Sequence, residues 1–210
     1  MQKIIPAILT LDSSALQKRL AVLRGKSKWV QIDIMDGTFV PNTSVGISEL
    51  GEAFEEFNLE IHLMVLHPER YLEDCFSIGA KRVYVHAESA KELAEILLLM
   101  KKYPFDRGVA INPETPISGI LKVANDVDAL LVLGVVPGAQ GHAFIPSTIQ
   151  KIREARNAFP DMTIGVDGGV SEANVRDVFG AGVDYAVVGS GIWENEDPIA
   201  AFKKLEEMVK

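Results

Sequence analysis

The stretch Trp29–Asn42, "WVQIDIMDGTFVPN", decides the fold. Its first seven residues alternate: Val30, Ile32 and Ile34 form one set, and Gln31 and Asp33 the other. Residues two apart on a strand share a face, so this strand has an apolar face and a polar one. Gly37, Pro41 and Asn42 then end the pattern with turn chemistry. The polar face ends in a carboxylate at the C-terminal end of the strand. A closed barrel accommodates both faces. Val30, Ile32 and Ile34 would pack against outer helices, and Gln31 and Asp33 would point inward near the mouth.

Seven further apolar runs repeat the theme: "KIIPAIL", "LEIHLMV", "RVYVHA", "RGVAIN", "ALLVLGVV", "MTIGVD" and "YAVVGS". Helical periodicity lies between most of them. "SSALQKRLAVLRG" opens with serine caps and ends at Gly25. "AKELAEILLLMKKY", "IPSTIQKIREARNAF", "SEANVRDVFGAG" and "DPIAAFKKLEEMV" follow the same rule. Eight strands separated by helices predict a parallel sheet. Eight repeats in this length favour an α/β fold of the (β/α)8 TIM-barrel type over an open doubly wound sheet. No long polar linker, low-complexity tract or charge block divides the chain, so residues 1–210 are expected to form a single domain.

Composition narrows the partners. The 210 residues carry 21 Lys and Arg against 29 Asp and Glu, a formal net charge of -8. Basic residues form no stripe and aromatics are sparse, which argues against nucleic acid. A small anion remains compatible, because backbone N–H groups can hold a phosphate without net positive charge. The single cysteine, Cys75, excludes an intrachain disulfide and fits a reducing compartment. "MQKIIPAILTLD" lacks the continuous apolar core of a signal peptide. The longest apolar runs are too short to span a bilayer. A cytoplasmic protein with no membrane partner is therefore expected. Apolar faces on a barrel would allow self-association, so a homo-oligomer is expected, of unspecified size.

The strand ends supply the candidate site: Asp33, His62, His86, Asn112, Asp167 and the pair Gly189-Ser190. Asp33 alone reads equally as a buried cap or as a working carboxylate. Asp167-Gly168 alone reads as a turn pair. Together, two carboxylates facing each other across a substrate can move a proton between the faces of one carbon, as epimerisation requires. His62 alone reads as a satisfied core histidine. Beside two carboxylates it becomes a candidate third ligand for Zn, Fe or Mn. Such an ion would stabilise an enediolate. His86 reads as supporting or structural, and His67 and His142 as loop residues. "VDGGV" and "VVGSGIW" each follow a strand and can open a helix, where glycine lets backbone N–H groups cradle an anion; the alternative is a pair of plain tight turns. "VVPGAQGHAF" is longer than a turn needs and can serve either as a lid or as an inert loop.

Read together, "QIDIMDGTFVPN", "EIHLMV", "HPERY", "HAE", "INPETP", "VVPG", "FIPSTIQKIR", "VDGGV" and "VVGSGIW" resemble the ribulose-5-phosphate 3-epimerase family, in that family's order and over nearly the whole chain. The resemblance implies a phosphate-binding barrel that interconverts ribulose 5-phosphate and xylulose 5-phosphate. It implies Asp33 and Asp167 as the opposed acid and base, and both on a divalent metal with His62. It implies phosphate on Gly168, Gly169, Gly189 and Ser190, and a pocket lined by Met35 and Met64. Three positions depart from the family pattern: Gln31 where the family carries His, Ala7 where it carries Ser, and "VPGAQGH" where it carries Asn-Pro-Gly-Phe-Gly-Gly-Gln. Gln31 is then a softened or lost fourth metal ligand, so the metal is expected to bind weakly or not at all. Two further readings follow: an epimerase for another ketose phosphate, and a barrel that binds a sugar phosphate with little turnover. A decarboxylase or aldolase of the same group fits less well, because "DIMDG" has no Lys close after Asp33.

Overall fold

A computed structural model describes residues 3–50, 56–89, 92–138 and 141–210. Eight strands appear: β1 (Ile4–Ile8), β2 (Trp29–Met35), β3 (Asn58–Met64), β4 (Arg82–His86), β5 (Asp106–Ile111), β6 (Ala129–Leu133), β7 (Thr163–Asp167) and β8 (Tyr185–Val188). They close in sequence order, with β8 pairing back to β1 and every pairing parallel. The stretch that opened the reading is β2, with the expected bounds. It pairs with β3 along its full length, from Trp29 opposite Asn58 to Met35 opposite Met64.

The helices are α1 (Ser13–Leu23), α2 (Leu72–Ser77), α3 (Leu93–Met100), α4 (Thr148–Ala158), α5 (Val175–Gly180), α6 (Ser190–Trp193) and α7 (Pro198–Met208). The serine cap expected for α1 is a correction: Ser13 is already helical, and Asp12 caps by accepting from the Ser14 N–H at 2.9 Å. Asp197 caps α7 in the same way, ahead of Pro198 at the first helical position. The start of the predicted "AKELAEILLLMKKY" helix, at 90–91, lies outside the described residues. Between β5 and β6 the chain crosses with two short 3-10 turns, Ile117–Gly119 and Ala124–Asp126.

Two apolar layers follow from the alternation. Outward residues of the strands, among them Val30, Ile32 and Ile34, pack with Leu16 and Leu20 of α1 in one continuous core. Inward residues, including Ile5, Ala7, Leu131 and Val187, fill the barrel around Tyr84 and Tyr185. Those tyrosines need room. A Cβ on Gly108 would lie 2.3 Å from the Tyr84 ring, and one on Gly165 would lie 2.5 Å from the Tyr185 ring. The two hydroxyls meet at 2.5 Å. Next to them Glu60 accepts from Arg82 and from the Tyr185 hydroxyl, both at 3.1 Å.

The loop after β2 is built by Asp36. Its carboxylate accepts from the N–H groups of Thr38, Phe39 and Leu66. Gly37 turns the chain at φ +71°. Asn42 then donates to the Gly138 carbonyl at 2.7 Å, which ties this loop to the one after β6.

Candidate active site

Alternation along β2, β3 and β7 aims Asp33, His62 and Asp167 into the mouth. β7 lies three places from β2 around the ring, by way of β1 and β8, rather than directly opposite. On β1 the small side chain of Ala7 lies in register with Gln31, and Leu9 beyond it lines the same cavity. One ligand atom from each of Asp33, His62 and Asp167 lies within 4.8 Å of the others.

The contacts inside this group are specific. His62 Nδ1 lies 3.1 Å from Asp33 Oδ1 and 3.2 Å from Asp167 Oδ2. Gln31 Nε2 donates to the same two oxygens, at 2.9 and 2.8 Å. Gln31 is fully buried, and its Oε1 has no partner among the described residues. Burial pushes the Asp33 carboxyl above its ordinary value, opposed by its hydrogen bond to His62. Burial works against charge on His62, but the hydrogen bonds to Asp167 and Asp33 outweigh it and raise the ring to about 9. His86 is buried behind His62, and burial lowers it to about 4.

The cavity in front of this group has about 530 Å³ of free space, its open mouth included. Its wall brings Asp33, His62 and Asp167 together with Gly168, Gly189 and Ser190. Gly169 and Met64 share that wall. Met35 lies beside it, in a groove with Leu9, and packs on Met64. Gly168 and Gly169 have φ of +97° and +70°. A Cβ on Gly168 would lie 2.4 Å from Val135, and one on Gly169 would lie 2.6 Å from the Phe144 backbone. Only glycine fits both the conformation and the space. The helix that "VDGGV" could open is a correction, since α5 starts only at Val175. The asparagine Asn174 and Ser171 shape the intervening turn, where the Ser171 N–H donates to Asn174 Oδ1. After β8 a helix does start, at Ser190, and it is one turn long.

His142 was expected only as a loop residue, yet it lines the cavity together with Gly141. Its signal was the length of "VVPGAQGHAF". Residues 139–140 of that loop lie outside the described residues. Asn112 does not reach the cavity wall. Its N–H donates to Glu88 instead, at 2.8 Å.

The sequence profile of the ribulose-phosphate 3-epimerase family matches residues 3–193. The chain belongs to that family. It is 35% identical to the ribulose-phosphate 3-epimerase of Bacillus subtilis, over 98% of both chains. It is 34% identical to that of Aquifex aeolicus, over 100% of this chain and 97% of the relative. The enzyme of that name from Schizosaccharomyces pombe is 31% identical, over 99% and 93%. Among solved structures, a 3-hexulose-6-phosphate synthase superposes with a TM-score of 0.76 at 18% identity, over 99% of this chain and 100% of that one. Orotidine 5'-phosphate decarboxylase from Pyrococcus horikoshii gives 0.73 at 16%, over 98% of both. At those identities the structural likeness speaks for the barrel alone.

Epimerases of this family use a divalent metal, and the donor set here fits one. Two carboxylate oxygens and an imidazole nitrogen face a common point. Amide nitrogen and oxygen occupy equivalent positions, so a half-turn of the Gln31 amide would bring its orphaned Oε1 to the same point. Among the described residues no helix is long and apolar enough to cross a membrane.

Proposed function

We propose that this protein interconverts ribulose 5-phosphate and xylulose 5-phosphate by moving a proton at C3 between Asp33 and Asp167. The observation that carries the reading is the arrival of two carboxylates, from β2 and β7, at one cavity. One carboxylate must begin ionised and the other protonated. The ionised one takes the C3 proton and leaves an enediolate. The protonated one returns a proton to the opposite face, and the roles exchange with the direction of reaction. Burial raises Asp33 above its ordinary value, the direction that favours its protonated form. With no cation between them, the Gln31 amide donates to both carboxylates and His62 Nδ1 lies against the same two oxygens, which fixes the spacing that proton transfer needs.

Asp33, His62 and Asp167 would hold the divalent cation, Zn, Fe or Mn, with the Gln31 oxygen as a weak fourth donor. When bound, the cation supplies positive charge beside the carbonyl and hydroxyl oxygens of the substrate. The phosphate would rest on the backbone of Gly168, Gly169, Gly189 and Ser190, where the three glycines let an anion approach closely. Met35 and Met64 supply the apolar floor. Self-association is part of the same proposal, and sedimentation would read it.

The test is proton exchange. Incubation with ribulose 5-phosphate in D2O should place deuterium at C3 and produce xylulose 5-phosphate. Neither label nor product, from protein that still binds the sugar phosphate by calorimetry, would leave a non-catalytic binder as the reading.

A further inference from the structure

Behind His62 runs a line of polar groups that proton transfer at C3 does not use. His62 Nε2 lies 2.9 Å from His86 Nε2. His86 Nδ1 lies 3.2 Å from Glu88 Oε2. The other oxygen of Glu88 accepts from the Asn112 N–H at 2.8 Å and from the Thr115 hydroxyl. Lys151 donates to the carbonyls of Asn112, Pro113 and Thr115, which fixes the loop that fixes Glu88. The Phe39 ring packs on His86 with centroids 4.8 Å apart, and the two imidazole planes lie within 20° of each other, as an edge-to-edge hydrogen bond requires. Both histidines are buried.

Only one arrangement of protons satisfies this line when both rings are neutral. A backbone N–H cannot reverse, so the Glu88 oxygen facing Asn112 is an acceptor. The ionised carboxylate accepts at its other oxygen too, so His86 carries its hydrogen on Nδ1. The His86 Nε2 is then a lone pair, and His62 must donate to it from Nε2. That leaves the lone pair of His62 on Nδ1, the atom facing Asp33 and Asp167.

We propose that Glu88, acting through His86, sets the tautomer of His62 and so aims its Nδ1 lone pair at the gap between the two carboxylates. Glu88 and His86 are thus positioning residues for the cation ligand, and in this the inference rests on the metal reading above. Carboxylate-to-histidine contacts behind a ligating imidazole serve this purpose in metal sites generally. Here a second imidazole is inserted between the carboxylate and the ligand.

Glu88→Gln tests the direction of the line. The amide must keep its oxygen toward the Asn112 N–H, so its NH2 faces His86 and donates. His86 then accepts on Nδ1 and carries hydrogen on Nε2. His62 is forced to accept on Nε2 and to hold its hydrogen on Nδ1, where the cation needs a lone pair. The chain has four histidines, and His67 and His142 are exposed, so 15N-labelled histidine gives a readable spectrum. In wild-type protein, His86 should show Nδ1–H with and without Zn2+, and Zn2+-loaded His62 should show Nε2–H. In Glu88→Gln the His86 pattern should reverse, and Zn2+ affinity, read with a competing chelator, should fall about 10–100-fold. His86 with Nε2–H in the wild type would overturn the proposal, as would a folded Glu88→Gln that binds Zn2+ as tightly. If that variant does not fold, the wild-type tautomers decide. If wild-type protein binds no Zn2+, the metal reading fails, while His86 in the metal-free protein still reports the line's direction.

Discussion

Two buried polar clusters share the barrel interior and are built on the same strands. β3 supplies Glu60 to one and His62 to the other. β4 supplies Arg82 to one and His86 to the other. The deeper cluster is closed off by side chains. Glu60 meets Arg82 at 3.1 Å, Arg82 also meets Asp106 at 3.2 Å, and its guanidinium lies over the rings of Trp29 and Tyr185. No cavity opens onto it among those described. At the mouth two carboxylates share one imidazole and one amide, and Asp33, His62 and Asp167 face a cavity. The same alternation made both. Access to open space separates a group that holds the barrel together from one that can act on a substrate.

The largest break in this comparison comes from removing one mouth carboxylate. Asp167→Asn should lower kcat about 10²–10⁴-fold, the range that general acid–base catalysis supplies, while the melting temperature stays near wild type. A rate within tenfold of wild type, in a C3 deuterium-exchange assay, would remove Asp167 from the proton-transfer pair. The deeper cluster should answer oppositely. Arg82→Met leaves Glu60 buried without its cation, and breaking such a pair costs about 3–5 kcal/mol of stability. Denaturant titration should show that loss, and kcat per folded molecule should stay within about twofold. A large loss of kcat with unchanged stability would mean that the clusters are not separable.

The alternation that made β2 legible is local, and so β2 was read to the residue. The other strands were legible as short apolar runs, and runs such as "KIIPAIL" and "ALLVLGVV" carry no alternation that separates inward from outward residues. Helix α2 was not legible, because six residues, Leu72–Ser77, are too few to show a period. Asp33, His62 and Asp167 could be placed at one end of the barrel because each closes or nearly closes its strand. The line from His62 to Glu88 could not. His62 is in register with Tyr84, and His86 with Ala110, so the histidines meet only through the stagger of the closed barrel. Stagger is a property of closure, and no single strand carries it. Gln31 was legible as a departure from the family pattern, but its bridge to both carboxylates was not.

That bridge sets the next expectation. Gln31→His replaces a weak amide donor with an imidazole on the same inward face. Metal affinity should rise about 10–100-fold, and kcat/KM with it if the cation limits the rate. Metal analysis after dialysis reads the first effect. Unchanged, tight binding in both proteins would show that Asp33, His62 and Asp167 suffice, or that the amide oxygen serves as well as imidazole.

The smallest expected effect compares the clusters in one pH window. Burial pushes Glu60 up to about 7, against the attraction of Arg82. A raised carboxyl contributes stability that is full below its unfolded value of about 4.5 and is lost as pH rises to about 7. Burial lowers His86 to about 4. A depressed imidazole contributes stability that is full above about 6.5 and is lost as pH falls to about 4. Between about pH 4.5 and 6.5 the two slopes oppose each other, each bounded by about 1.4 kcal/mol per pH unit. Their contributions to the stability of the metal-free protein should therefore nearly cancel in this window. Glu60→Gln removes one slope and leaves the other. Subtracting the wild-type curve cancels the groups common to both proteins, Asp33 among them. The difference should rise with pH across the window and flatten above about 7. Parallel curves in denaturant titrations would mean that Glu60 is ionised throughout, held so by Arg82, and that the deeper cluster is an ion pair at every pH the fold survives.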